Sequence, residues 1–186
     1  RHGDHVAAML PNRMEYPVTW MALARIGAVM GPINPRYTWH ELQFALADSG
    51  ADFLVIDEAH LPLLAALDDR PSTLDDGRIV VRGHAALPGG RTWAALCEGG
   101  ADDFTPAASV TASDPTTILY TSGTTGLPKG CVHPQDYWLV MSRQIPAATE
   151  ASVSRLLVQN LFHYMNCQHL LVSTLNIGAT LYIARQ

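Results

Sequence analysis

One short segment of the 186-residue sequence combines the side chains that bind phosphate groups. It follows an apolar run ending at Tyr120, and it holds four hydroxyl residues, two glycines and a lysine: Thr121, Ser122, Gly123, Thr124, Thr125, Gly126 and Lys129. Glycine lets consecutive backbone N–H groups converge on one anion because no Cβ stands in the way. Hydroxyl groups add donors, and a lysine adds a compact positive charge. This composition predicts a loop that binds a polyphosphate.

The spacing inside this segment differs from that of two familiar phosphate loops. A Walker A loop has its second glycine and its lysine after four intervening residues, but Pro128 occupies the glycine position and Gly130 follows Lys129. A dinucleotide fingerprint needs G-x-G-x-x-G, which the sequence does not contain. The alternative is an ordinary surface loop of turn-forming residues. The order of the residues after a strand-like run favours the binding role.

The elements that must position this loop alternate between short apolar runs and helical patterns. Strands are predicted at 5–10, 28–33, 52–56, 116–120, 130–133, 155–159 and 179–183. Helices are predicted between them, the first over about 13–27 and the second from Thr38 to about Gly50. This alternation indicates the α/β class, with parallel-rich sheets flanked by helices.

Local signals mark the two helix starts. Asn12 follows Pro11 and is expected to cap the first helix. Thr38 and Glu41 have the T-x-x-E spacing of a capping box. Trp20 and Trp39 lie on the apolar stripes of these helices and are expected in the core.

Composition excludes several classes of protein. A hydrophobic share of 48% rules out a disordered chain, and a net charge of -5 with only 12 basic residues disfavours nucleic acid as a partner. The longest apolar stretch, 17–33, contains Arg25 together with glycine and proline, so we predict a buried helix and strand rather than a membrane span. Three widely spaced cysteines suit a reducing compartment, and a cytoplasmic location is expected.

The string YTSGTTGLPKG, residues 120–130, closely resembles the signature loop of the adenylate-forming superfamily, which includes acyl-CoA synthetases, luciferase-like enzymes and the adenylation domains of peptide synthetases. Two flanking regions are similar to this superfamily in order and spacing. Residues 3–57 carry a Pro-Asn turn and an N-P-R loop, and residues 160–183 carry a Phe-His pair and a G-A-T strand. The resemblance implies that the chain is part of the large N-terminal domain of an acyl-adenylate-forming enzyme.

This resemblance also implies a reaction and its cofactors. Members of the superfamily join ATP to a carboxylic acid, release pyrophosphate, and then pass the acyl group to a thiol, usually coenzyme A. By resemblance, the β- and γ-phosphates would be held by Thr121, Ser122, Gly123, Thr124, Thr125, Gly126 and Lys129. Lys129 would be catalytic because its charge stabilises the departing pyrophosphate, and Thr124 would lie near Mg²⁺. ATP, Mg²⁺ and coenzyme A are the expected cofactors, and a small carboxylic acid is the expected substrate.

His163 is the second catalytic candidate. It follows Phe162, as in the Phe-His pair of the superfamily, so the resemblance places it at the wall of the acyl pocket. We expect it to orient or gate the substrate, since a carboxylic acid is already ionised at neutral pH and needs no general base. The alternative is a histidine satisfied within the fold. A metal site at 163–169 is disfavoured because a fourth ligand is missing; the same stretch resembles ligases of small polar acids such as carnitine or crotonobetaine.

The predicted organisation has two βα subdomains, 1–98 and 115–186, joined by a linker at 99–114 that is rich in small and acidic residues. The second carries the phosphate loop and is incomplete. The superfamily's adenine-binding motif and the C-terminal domain with its catalytic lysine do not occur in the sequence. We therefore expect the remainder of the polypeptide to dock here and this segment to be inactive alone.

The predicted function is ATP-dependent acid–CoA ligation. The alternatives are a non-catalytic nucleotide-binding module or degenerate relative, a carrier-protein phosphopantetheine as the thiol acceptor, and a purely structural domain. The intact hydroxyl, glycine and lysine residues of the loop disfavour a degenerate site, and a purely structural domain would leave them unexplained.

Overall fold

The computed structural model describes residues 1–67, 69–85, 87–98, 100, 104–105, 109–121, 128–144 and 153–184. The strands assigned in these ranges are β1 His5–Met9, β2 Val29–Pro32, β3 Phe53–Asp57, β4 Ile79–Arg82, β5 Arg91–Thr92, β6 Pro115–Thr121, β7 Lys129–Pro134, β8 Arg155–Val158 and β9 Thr180–Ile183. The helices are α1 Glu15–Ile26, α2 Trp39–Asp48, α3 Leu61–Ala65, α4 Trp93–Glu98, α5 Gln135–Met141 and α6 Met165–Ile177. Two 3₁₀ turns lie at Glu58–His60 and Asp76–Arg78.

Seven strands form one sheet in the order β5-β4-β3-β1-β2-β6-β7. Neighbouring strands from β5 to β6 are parallel, and β7 is antiparallel to β6. Strands β8 and β9 form a separate parallel pair. The predicted α/β class with parallel-rich sheets is confirmed. The division at 99–114 stays a prediction; β6 and β7, which follow that segment, lie in the same sheet as β1–β5.

The main sheet has an apolar layer on each face. Successive residues of a strand point to opposite faces, so Val6 and Ala8 of β1 join one buried cluster while Ala7 and Met9 join the other. Helix α1 covers the first face with Tyr16 and Trp20, and helix α2 covers the second with Leu42 and Leu46. The sheet therefore fixes both helices that follow the loops at its carboxyl edge.

Of the two caps predicted at helix starts, one is confirmed and the other is wrong. The capping box is present: the Thr38 hydroxyl accepts from the Glu41 N–H, and the Thr38 N–H donates to Glu41 Oε2 at 2.8 Å. The predicted Asn12 cap is wrong, because α1 begins at Glu15 behind Met14, which makes no side-chain cap. Asn12 is instead bonded to a distant part of the chain.

The two tryptophans predicted in the core differ in how deeply they are buried. Trp20 is 1% exposed, which confirms the prediction. Trp39 is only partly buried, and its ring stacks on that of His40. Trp39 is the first residue of α2, at a helix end, whereas Trp20 lies in the middle of α1 and packs in the buried cluster on one face of the sheet.

The surface carries large apolar side chains, most of them after residue 128. They are Val132, Leu139, Val140, Leu157, Tyr164, Met165, Leu175 and Tyr182, with Met14, Val18, Leu96 and Phe104 earlier in the chain. Among the helices of the described ranges, none is long and apolar enough to cross a membrane.

Candidate functional site

The base of the predicted phosphate loop is an antiparallel hairpin. Strands β6 and β7 pair so that Thr121 stands opposite Lys129. Directly opposed residues have Cβ atoms about 5 Å apart and project from the same face, so the hydroxyl and the ammonium stem lie side by side. Both side chains are exposed, and within the ranges described above Lys129 has no ion-pair partner. The other predicted loop residues, Ser122, Gly123, Thr124, Thr125 and Gly126, lie outside the described residues.

Tyr120 anchors this hairpin to helix α2. It pairs with Gly130 on β7, and its hydroxyl donates to Asp48 Oδ2 at 2.8 Å. A Cβ on Gly130 would stand 2.9 Å from Ile118 Cγ2 and 3.4 Å from the Tyr120 ring. Glycine is therefore required at position 130 for the close approach of the two strands.

The segment that leads to His163 is held by Asn12. The Asn12 Oδ1 accepts a hydrogen bond from the Phe162 N–H at 2.9 Å, and its Nδ2 donates to the carbonyls of Asn160 at 2.7 Å and Ala184 at 3.3 Å. Asn12 is buried, with 4% of its surface exposed. One asparagine after β1 therefore connects the chain beyond β8 with the chain beyond β9.

A second buried amide holds the other side of Phe162. The Gln168 Nε2 donates to the Phe162 carbonyl at 2.9 Å and to the Tyr16 hydroxyl at 3.2 Å. The Tyr16 and Phe162 rings stack with centroids 5.1 Å apart. Because both backbone polar groups of Phe162 are bonded to buried side chains, the position of the next residue, His163, is closely determined.

This bracing by Asn12, Tyr16 and Gln168 was not predicted from the sequence. The Pro-Asn turn predicts a helix cap at Asn12, a role that needs only neighbouring residues. Its true partners are 148 to 172 residues away.

The His163 side chain is partly buried and lies within range of a positive charge. Both ring nitrogens are buried and have no hydrogen-bond partner in the part of the chain that the structure describes. Burial lowers the pKa of His163 to about 4, and the positive charge of Arg36 adds to the shift. The imidazole is therefore neutral at physiological pH, with donor and acceptor capacity left for a ligand. This fits the predicted orienting role, which stays a prediction.

Arg36 belongs to the N-P-R loop that follows β2. The loop is shaped by Asn34, whose Oδ1 accepts from the Arg36 N–H at 3.0 Å. Arg36 is exposed, so its charge is free to act on its surroundings. Its positive charge helps to lower the pKa of His163, so the N-P-R loop lies within electrostatic range of the Phe-His segment.

Tyr37 connects the two parts of the candidate site. Burial chiefly raises the pKa of Tyr37, with contributions from Glu41 and Tyr164. Tyr37 in turn contributes to the raised pKa of Tyr120. It therefore lies within electrostatic range of both the phosphate hairpin and the segment after His163. Residues after β2 and β8 and the last residues of β6 come together here, at the carboxyl ends of parallel strands, where open α/β sheets bind their ligands.

Two side chains in the stretch 163–169 make structural contacts. One ring nitrogen of His169 bonds the Met141 carbonyl at 2.7 Å. Cys167 is 1% exposed and packs in the apolar cluster beneath α1. Over the described ranges, no group of three or more His, Cys, Asp and Glu side chains could hold a metal ion.

A cavity of about 620 Å³ lies elsewhere in the fold. It is lined mainly by apolar residues of α1 and α4 and by residues at the amino ends of strands, including Phe53, the first residue of β3. The hairpin base and His163 follow the opposite ends of their strands. This cavity is therefore separate from the candidate site.

The sequence matches the profile of the AMP-binding enzyme family over residues 1–186. Long-chain-fatty-acid–CoA ligase FadD13 of Mycobacterium tuberculosis (strain ATCC 25618 / H37Rv) is 35% identical over 134 residues, 70% of this chain and 24% of the relative. Feruloyl-CoA synthase of Amycolatopsis sp is 32% identical over 185 residues, 98% of this chain and 34% of the relative. Crotonobetaine/carnitine–CoA ligase of Salmonella typhi is 35% identical over 145 residues, 71% of this chain and 26% of the relative. The chain spans about a quarter to a third of the length of these relatives.

Solved structures have the same fold. The inhibitor-bound N-terminal domain of FACL13 from Mycobacterium tuberculosis has a TM-score of 0.87 at 28% identity, with 100% of this chain and 45% of that chain covered. The anthranilate CoA ligase AuaEII in complex with anthranoyl-AMP has a TM-score of 0.90 at 21% identity, with 100% and 36% covered. The second likeness concerns the fold alone.

Proposed function

The chain belongs to the AMP-binding enzyme family. From this premise we propose that it is the phosphate-binding part of an ATP-dependent acid–CoA ligase and that it also supplies one wall of the acid site. The reaction would form an acyl-adenylate and pyrophosphate and then transfer the acyl group to coenzyme A.

The observation that carries this proposal is the pairing of Thr121 with Lys129. It brings a hydroxyl donor beside a cation that has no ion-pair partner among the described residues, and both groups suit phosphate oxygens. Lys129 would stabilise the negative charge that develops on departing pyrophosphate. Mg²⁺, when bound, supplies further positive charge to the phosphates, and Thr124 is the residue proposed to lie near it.

On the acid side, His163 would orient the substrate as a neutral imidazole. Its two ring nitrogens, which have no hydrogen-bond partner among the described residues, can donate and accept, and its lowered pKa keeps it uncharged. The nearby Arg36 would add attraction for an anionic carboxylate. No proton has to be removed from the acid, so neither residue is assigned a general-base role.

The named relatives act with coenzyme A on long-chain fatty, feruloyl, or crotonobetaine and carnitine groups, as their names state. This supports coenzyme A as the acceptor and a carboxylic acid as the substrate. A carrier-protein phosphopantetheine is the alternative thiol. We place the enzyme in the cytoplasm.

We further propose that this segment acts with the rest of its polypeptide. The apolar side chains exposed on β7–β9 and on the helices between them support a surface that other protein covers. Activity is therefore proposed for the complete enzyme and not for these 186 residues alone.

The experiment is ATP–pyrophosphate exchange by the complete protein with a panel of aliphatic, aromatic and polar carboxylic acids. Acid-dependent exchange, followed by thioester formation when coenzyme A is added, is the expected result. Binding of ATP without exchange for any acid would support the non-catalytic nucleotide-binding module and contradict the proposed ligase. If exchange occurs but a thioester forms only on a carrier protein, the acceptor is the carrier-protein phosphopantetheine and not coenzyme A.

A further inference from the structure

We propose that Tyr120 and Asp48 are a positioning pair, whose hydrogen bond fixes the phosphate hairpin against helix α2 and so sets Lys129 relative to the acid side of the site. The proposal rests on the proposed function and assigns a role to two residues outside the phosphate loop.

Tyr120 is placed to control both strands of the hairpin. It directly precedes Thr121 on β6, and it stands opposite Gly130, the neighbour of Lys129 on β7. Because position 130 has no Cβ, the Tyr120 ring can lie close to the β7 backbone. A displacement of the ring would therefore move both residues that flank the loop.

The hydroxyl of Tyr120 then ties this ring to α2. It donates to Asp48 Oδ2 at 2.8 Å, with a longer contact of 3.4 Å to the Ala45 carbonyl. Asp48 is the last residue of α2. Hydrogen bonds to a charged acceptor are stronger than those between neutral groups. This contact can therefore hold the Tyr120 ring in one orientation although water reaches it.

Helix α2 carries the constraint to the acid side. It begins after Thr38, whose capping box with Glu41 fixes the first turn. The residues just before this cap are Arg36, whose charge acts on His163, and Tyr37, which interacts with Tyr164. A helix of ten residues is about 15 Å long and behaves as a stiff element. The last residue of α2 thus bonds Tyr120, and the residues before its start lie within electrostatic range of the acid side; Tyr37 and Tyr120 also pack against the same apolar cluster.

The bond is present over the working pH range. Burial chiefly raises the pKa of Tyr120 far above its usual value, and Asp48 adds to this. The phenol therefore remains protonated and continues to donate.

The test uses the complete protein and steady-state ATP–pyrophosphate exchange. Tyr120→Phe keeps the ring and removes only the hydroxyl, and Asp48→Ala removes the acceptor from an exposed helix end. Each variant is expected to raise the KM for ATP about three- to tenfold, as the loss of one hydrogen bond allows, with less than about a twofold change in the KM for the acid. Tyr182→Phe, at an exposed tyrosine of β9, is the matched control and should change neither constant.

A double variant separates positioning from a general structural effect. If the two side chains act only through each other, Tyr120→Phe combined with Asp48→Ala should be no worse than the stronger single variant. The proposal would be overturned by additive effects, by an unchanged KM for ATP, or by equal changes in both KM values. In each of these cases, exchange by the wild type would still leave the proposed function intact. If the wild type shows no exchange with any acid, both proposals fail.

Discussion

The side chain of Asn12 accepts a hydrogen bond from the backbone N–H of Phe162, at 2.9 Å and across 150 residues of sequence. With the two carbonyls that its Nδ2 reaches, it connects the turn after β1 to the segment carrying His163. The acid side of the candidate site is therefore positioned by a residue that does not itself face the proposed substrate.

Asn12→Ala should both destabilise the protein and weaken use of the acid. The substitution leaves the buried Phe162 N–H and the Asn160 carbonyl without their partner, which costs about 1–3 kcal/mol of unfolding free energy. We expect a higher KM for the acid and little change in the KM for ATP. Urea denaturation and exchange kinetics measure the two effects. Asn176→Ala, which loses only a 3.4 Å contact, is the control; equal behaviour of the two variants would contradict the role of Asn12.

Gln168→Leu should have a similar effect through the other side of Phe162. Leucine fills a similar volume but has no amide to donate. The buried Phe162 carbonyl is therefore left unpaired, at a cost of about 1–3 kcal/mol of unfolding free energy. Tyr16→Phe keeps the ring stack and removes one longer hydrogen bond, so it should lose less. The order of urea midpoints, wild type above Tyr16→Phe above Gln168→Leu, is the expected result. The reverse order of the two variants would mean that Gln168 does not hold Phe162.

The pKa of His163 predicts an acid-dependent loss of stability. Its ordinary value is 6.5 and its value in the folded protein is about 4. Between these values the unfolded state binds a proton that the folded state excludes, so stability falls as the pH is lowered from about 6.5 towards 4. His163→Gln removes this contribution.

Urea denaturation at pH 7 and pH 4.5 tests this directly. The stability difference between the two pH values should be smaller in His163→Gln than in the wild type. His40→Gln, at an exposed histidine, should retain the wild-type difference. If His163→Gln shows the same stability difference between the two pH values as the wild type, His163 does not contribute to the pH dependence and the prediction is wrong.

Thr38→Ala should destabilise α2 and, through it, the site. Loss of the capping box costs about 0.5–2 kcal/mol, while Thr38→Ser keeps the hydroxyl and should stay within about 0.5 kcal/mol of the wild type. Urea denaturation measures this difference. Equal losses in the two variants would mean that the hydroxyl does not cap the helix.

The sequence predicts those features whose causes are local. The strands 5–10 and 116–120 are bounded by turn residues and agree closely with β1 and β6. The capping box needs only Thr38 and Glu41, three residues apart, and it is confirmed.

The features that depend on distant partners were not predicted. Asn12 has the residue type of a helix cap, but buried carbonyls more than 140 residues away bind it more completely than the start of α1 does. Tyr120 and Asp48 are 72 residues apart, and nothing near either residue signals the contact. The antiparallel pairing of β7 with β6 was likewise not predicted. The roles of Ser122, Gly123, Thr124, Thr125 and Gly126 stay predictions.

The central claim is that Lys129, the only lysine in the 186 residues, stabilises the phosphates of ATP. The most direct measurement is the kcat/KM for ATP in pyrophosphate exchange by the complete protein with its best acid. Lys129→Ala should lower it by about 10²-fold or more, as expected when a charge stabiliser is removed, with an unchanged urea midpoint. Lys129→Arg should retain part of the activity, and Arg91→Ala, at an exposed cation of β5, all of it. Wild-type kcat/KM in Lys129→Ala would contradict the account.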